Sequence, residues 1–178
     1  MSAPGPAGPE FSRIVKVRPQ PPERLTLVAD ETERAALAER FGIPAVRSLV
    51  AELAFVPDGA IVAAKGRLTA DLVQTCAVSG EDFPVRIDEP LDLRFVPEGS
   101  LDAGADEEVE LDSGGPDEIE YEGEAFDAGE AVAQSLGLAI DPYAEGPSAD
   151  AARREAGITD DAAPRGPLAE ALAALRKD

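Results

Sequence analysis

One cysteine, Cys76, stands in the stretch LVQTCAVSGEDFPVRI (72–87) of a 178-residue chain that has no histidine. That inventory removes most enzyme chemistry. Without imidazole, no Ser–His or Cys–His pair exists to activate a nucleophile. A zinc site of nitrogen and sulfur ligands lacks its donors. Neither phosphate-cradling glycine pattern occurs, GxxxxGK[ST] or a GxGxxG that follows a strand. The alternating acids Asp106, Glu108, Glu110 and Asp112 suggest calcium, but a calcium loop begun at Asp106 requires Gly at its sixth position, where Leu111 stands. The residues therefore read as a non-enzymatic protein with no cofactor, no metal and no small-molecule substrate. Cys76 has no Lys or Arg within eight residues on either side to lower its pKa, and reads as a small buried hydrophobe.

Two charged sets remain as candidates for binding. Lys65, Arg67, Arg86 and Arg94 fall on outward strand positions; on neighbouring strands they would form a modest positive patch able to contact RNA phosphates. Isolated surface charges are the equally open alternative. Asp106, Glu107, Glu108, Glu110 and Asp112 would offer a surface to a basic partner, or simply form a solvated, self-repelling loop. The net charge of −20 is segregated: residues 95–152 hold 17 acids and no Lys or Arg, whereas residues 1–94 hold 14 acids and 11 bases.

These residues need elements to position them. ADETERAALAERFGIP (29–44) predicts a helix, with Asp30 as N-cap, Glu33 at capping-box spacing, Leu37 and Phe41 one turn apart, and Gly42 then Pro44 as the stop. Before it, FSRIVKVRP (11–19) predicts a short strand followed by a Pro-Pro linker. From 47 to 97 the period changes to two. Leu49, Ala51, Leu53 and Phe55 share one face, as do Val85, Ile87, Leu91, Leu93 and Phe95, with turns at 57–59 and 79–82. Gly66 marks a bulge or a close backbone approach. Ile119, Tyr121 and Ala125 predict one further strand. Asp127 then caps a second helix, with Glu130 at capping-box spacing and a stripe of Ala128, Ala131, Val132, Ser135, Leu136 and Ala139.

The expected architecture is α+β: an antiparallel twisted sheet, barrel-like if it closes, with two main helices and a short C-terminal helix. Residues 1–10 form a tail and 11–143 a single domain with an acidic loop at about 98–116. A linker at 144–166 and an amphipathic helix at 167–178 follow. MSAPGPAGPE lacks the basic and apolar regions of a secretory signal, and no apolar run approaches the ~18 residues that cross a bilayer. A cytoplasmic protein with no membrane partner is expected.

Taken together, these stretches resemble one family. ADETERAALAERFGI (29–43) is similar to the capped early helix of the YceD family of bacterial and plastid proteins. GRLTADLVQTCAVSGEDFPVRI (66–87) resembles its central strand pair and turn, and FDAGEAVAQSLGLAIDPY (126–143) its late Asp-x-Gly-Glu helix running into Asp-Pro-Tyr. GPLAEALAALRKD, the C-terminus, resembles the small terminal helix of the proteobacterial branch. The resemblance covers roughly 11–143 and the last dozen residues. It implies a ribosome biogenesis factor supporting accumulation of 23S large-subunit ribosomal RNA, through synthesis, processing or stability. The partner would be that RNA, directly or through a basic ribosomal or assembly protein. The family supplies no catalytic residues. Many relatives carry paired cysteines around this strand; only Cys76 remains here, so a metal site is not inherited. The alternative is an acidic protein–protein adaptor for a basic partner, unrelated to ribosomes.

Overall fold

A computed structural model describes residues 10–100 and 115–158. Its order is β1 (Ile14–Lys16), β2 (Arg24–Val28), α1 (Glu31–Phe41), β3 (Ala45–Asp58), β4 (Ile61–Thr75), β5 (Asp82–Pro97), β6 (Asp117–Tyr121), β7 (Ala125–Asp127), α2 (Ala128–Ala139) and α3 (Ala149–Glu155). Strands β2-β3-β4-β5-β6 make one sheet in that order, and β1 and β7 pair in a second. The fold is α+β, as expected. The backbone divides into two compact units: residues 1–74 with 84–142, and residues 75–83 with 143–178.

In the first unit, the inward positions of the long strands carry the apolar residues that period two assigns to one face. Leu49, Ala51, Leu53 and Phe55 of β3, Val62, Ala64, Leu68, Ala70 and Leu72 of β4, and Ile87, Leu91, Leu93 and Phe95 of β5 are all buried in one cluster. The helices supply the other layer, with Leu37 of α1 and Ala128, Ala131, Val132 and Leu136 of α2 in the same cluster. Phe126 stacks on Phe95 with ring centroids 3.9 Å apart and tilts against Phe55 at 5.8 Å. The Tyr121 hydroxyl donates to the Ala60 carbonyl at 2.5 Å, joining β6 to the β3–β4 turn. Gly66 is a close approach: a Cβ there would lie 1.8 Å from the Glu52 carbonyl oxygen on β3, a contact no side chain tolerates.

The helix ends are fixed by the residues that name them. Asp30 accepts from the Glu33 N–H at 2.8 Å, and Glu33 Oε2 accepts from the Asp30 N–H at 2.9 Å; Gly42 closes α1 in the left-handed region at φ 64°. At α2, Asp127 caps by accepting from the Gly129 and Glu130 N–H groups at 2.9 and 3.1 Å. The reciprocal half of the expected box does not form, because Glu130 turns to the Arg40 guanidinium on α1, at 2.8 Å. The Asp127 carboxylate also takes the Ser12 hydroxyl at 2.6 Å and the Arg13 N–H at 2.7 Å. A Cβ at Gly129 would lie 2.7 Å from both Arg13 N and Phe11 O, so Gly at that position lets the first turn of α2 lie against the backbone of 11–13.

Four further expectations change in the first unit. The sheet is mixed rather than antiparallel, since β6 runs parallel to β5 with Leu93 opposite Asp117 and Pro97 opposite Tyr121. A parallel return needs a connection of about a dozen residues or more, which the stretch 98–116 supplies. The sheet is open, with β2 and β6 as its edges, so no barrel forms among the described residues. The strand expected through Ile119, Tyr121 and Ala125 is two strands in two sheets, separated at Gly123, whose φ is 74°. Leu25 and Leu27 lie on β2, an edge strand directly after the Pro-Pro dipeptide where only a linker was expected.

The second unit contains α3, inside the stretch 144–166 expected as a linker. Its alanines favour helix, Ala149 is buried, and Arg153 pairs with Asp150 one turn earlier at 3.3 Å. The expected helix at 167–178, and Asp106, Glu107, Glu108, Glu110 and Asp112, lie outside the described residues.

Asp127→Ala removes the α2 cap and orphans the Arg13 N–H together. It is expected to cost about 3 kcal/mol, read as a fall in urea midpoint at unchanged m-value. A loss under about 0.5 kcal/mol would mean that the 11–13 segment holds without this carboxylate.

Candidate functional site

The outward face of the five-stranded sheet carries the four basic candidates, and β4 and β5 are neighbours, as a shared patch requires. Each of the four meets an acid. Lys65 Nζ lies 3.0 Å from Asp92, and Arg67 Nε donates to Asp88. Arg94 Nη1 lies 2.7 Å from Glu118 on β6, and Arg86 Nη1 lies 3.4 Å from Asp71. The β4–β5 pairs run in opposite directions along the two strands, so the face is a ladder of cross-strand ion pairs. The hydrogen bond between Arg67 and Asp88 raises the arginine's pKa and holds the carboxyl below its usual range. Such exposed pairs add little stability, but they cancel the field that would draw a phosphate. The sequence put Lys65 and Arg67 on one strand face and Arg86 and Arg94 on another, and left open whether the two strands are neighbours. It could not give their partners, because cross-strand register is set by turns and bulges rather than by alternation.

Around the start of α1, charges are tied more tightly. Arg13 Nη1 and Nη2 donate to the two Glu33 carboxylate oxygens at 2.6 and 3.0 Å, and Nη2 also donates to the Val28 carbonyl at 3.0 Å. Arg40 reaches Glu130 at 2.8 Å and Glu10 at 3.0 Å. The Arg13 hydrogen bond lowers the Glu33 pKa, and the Arg40 hydrogen bond lowers that of Glu130. Both carboxylates therefore stabilise the fold above the usual glutamate range, and that contribution is lost as pH falls through their depressed values. The motif residues Asp30, Glu33, Asp127, Gly129 and Glu130 thus act together as a structural joint.

Cys76 lies in the second unit and is buried. The Ser79 N–H donates to its Sγ at 3.3 Å. Hydrogen bonds from Ser79, first its side chain and then its backbone, followed by the Gly146 and Val78 N–H groups, bring the thiol down to about 7 against the opposing effect of burial. No Lys or Arg within eight residues lowers this thiol's pKa, as the sequence indicates; the Ser79 side chain and the loop N–H groups do so instead, and they need no charged neighbour. The loop also holds its own geometry. The Cys76 N–H donates to the Glu81 carbonyl at 2.8 Å, and Gly80 N–H returns to the Cys76 carbonyl at 3.0 Å.

Among the described residues, no group of three or more Cys, Asp or Glu side chains converges as metal ligands. No helix among them is long and apolar enough to cross a membrane. Comparison with protein-family models, with curated proteins and with solved structures finds no match.

The Cys76 thiol is expected to ionise along a pH profile centred near 7, read by thiolate ultraviolet absorbance because a buried thiol is closed to alkylating reagents, and moving to about 8.5 in the unfolded chain. Because the folded value is the lower one, the linked stability is fully present above about 8.5 and is lost as pH falls through 7. A native profile centred above 8.5 would show that the loop N–H groups do not hold the thiolate.

Proposed function

We propose that this protein is a non-enzymatic ribosome biogenesis factor that supports accumulation of 23S ribosomal RNA, and that it does so by engaging a basic ribosomal or assembly protein. The observation that carries the reading is the joint built by the residues of the YceD-like stretches. Asp127, Gly129 and Glu130 of the Asp-x-Gly-Glu signature bind the backbone at 12–13 and Arg40, while Asp30 and Glu33 of the early helix bind each other and Arg13. Residues that look like separate motifs are thus mutually dependent, which supports treating the resemblance as one of fold and role. The choice of a protein partner follows from charge. Lys65, Arg67 and Arg94 are held by close acids and Arg86 only by a longer contact of 3.4 Å, so RNA bound through the first three must displace a carboxylate. The excess of acids in 95–152, which includes Asp106 to Asp112, favours a partner rich in Lys and Arg.

The same charge supports a second reading, an acidic adaptor whose basic partner has no part in ribosome assembly. Depleting the protein from its native cell separates the two. The ribosomal reading expects the ratio of large- to small-subunit ribosomal RNA to fall, with restoration by the intact gene. An unchanged ratio during rapid growth would overturn it and leave the adaptor.

A further inference from the structure

We propose that Arg47 and Arg86 form a phosphate-binding site beside a bulge in β3, a site that stands apart from the ribosomal reading and from the Lys65–Arg67 pair.

The site begins with a break in register. Val46 pairs with Leu72 and Ser48 with Asp71, so Arg47 is an extra residue with no partner on β4. Strict alternation would put residue 47 on the inward face with Leu49. The bulge lets Val46 and Leu49 both be buried and turns Arg47 and Ser48 towards the other side. Arg47 comes to line a depression of about 460 Å³ together with Ser48, Asp71, Pro84, Val85 and Arg86.

The charges in that depression are unequal. Arg47 has neither an ion pair nor a hydrogen bond from its side chain among the described residues. Arg86 meets Asp71 at 3.4 Å, the longest of the ion pairs described, its charge also acts on Asp88, and its side chain is 67% exposed. Asp71 Oδ2 accepts from the Ser48 hydroxyl at 2.8 Å and its N–H donates to Ser48 Oγ at 3.2 Å, so Oδ1 is left to meet Arg86. Asp88, next but one to Arg86, is held by Arg67. Two arginines therefore line a depression whose one carboxylate, Asp71, also serves Ser48.

A phosphate suits this arrangement. Two planar forks present several N–H donors to a compact oxyanion, and the apolar Pro84 and Val85 wall reduces the competing water. The acidic excess elsewhere does not forbid it, because at ~0.15 M salt fields fade over ~8 Å. On the α1 side Arg47 faces a different surface, with Glu31 and Glu39 beside Arg34, which offsets any positive excess there. The phosphate belongs either to an RNA backbone or to a free phosphate ion.

The test uses the full chain, a fluorescein-labelled RNA hairpin and, separately, inorganic phosphate. Anisotropy over a range of salt concentrations is measured for the wild type and for R47A/R86A, R47K/R86K and K65A/R67A. Both arginines are exposed, and thermal melts check that each variant folds. For an RNA phosphate, R47A/R86A should weaken binding about 10-fold or more and lower the log–log salt slope by roughly two. R47K/R86K should keep the slope, and K65A/R67A, which strips Asp92 and Asp88 of their partners, should lower it less than R47A/R86A does. If the hairpin does not bind but phosphate moves the Arg47 and Arg86 Nε–H resonances, the ligand is a free phosphate. The proposal is overturned if wild type and R47A/R86A share one slope, if neither probe binds, or if polyglutamate competes as well as the hairpin. None of these outcomes depends on the ribosomal RNA ratio.

Discussion

The first unit depends on the carboxylate of Asp127. It ends β7, begins α2 and holds the backbone at Ser12 and Arg13, three tasks carried by four hydrogen bonds. Because β1 follows directly from that backbone and pairs with β7, the contact sets where the chain's first strand lies. It also brings Arg13 within reach of Glu33, and so couples the start of α2 to the start of α1. A buried or half-buried carboxylate is costly unless its lone pairs are occupied. Here they are occupied by N–H and O–H groups that would otherwise be orphaned at a helix start and beside a short strand. The gain lies in satisfying donors and acceptor at once. Gly129 is the steric counterpart of the same contact, since any side chain there would separate the two backbones.

How much of this could be read from the residues depended on range. Signals within one turn of helix were legible: the Asp30–Glu33 box, the Gly42 stop and the Asp127 cap all occur as expected. So were the faces of β3, β4 and β5, because alternation is local and the apolar residues are numerous. Long-range competition was not legible. Glu130 has the spacing of a capping box, yet the Arg40 guanidinium, 90 residues earlier, outcompetes its own helix for the carboxylate. The parallel sense of β6 was hidden for a related reason, since a strand of five residues carries no mark of direction. β2 was missed because the prolines before it dominated the local reading.

The candidate surface shows the same limit more sharply. Alternation put Lys65 with Arg67 and Arg86 with Arg94 on outward strand positions, but it gave neither the adjacency of the two strands nor the acids opposite them. Arg47 escaped notice because its significance depends on a bulge, and a bulge is a relation between two strands rather than a property of one. Cys76 was judged by charged neighbours, while the groups that act on its sulfur are the Ser79 side chain first and then the N–H groups of Ser79, Gly146 and Val78. The surface is thus organised by compensation, and its chemistry lies where compensation is incomplete.

The hydroxyl of Tyr121 has a use of another kind. The chain has no tryptophan and two tyrosines, and these stand one in each unit and in opposite surroundings. Tyr121 is 8% exposed with its proton given to a carbonyl, while Tyr143 is 78% exposed. Phenol emission and near-ultraviolet dichroism respond to such differences, so the molecule carries a separate optical probe in each half. Replacing Tyr143 with Phe would leave a signal belonging to the first unit alone, and whether the two halves melt together becomes a question that light can answer without an added label.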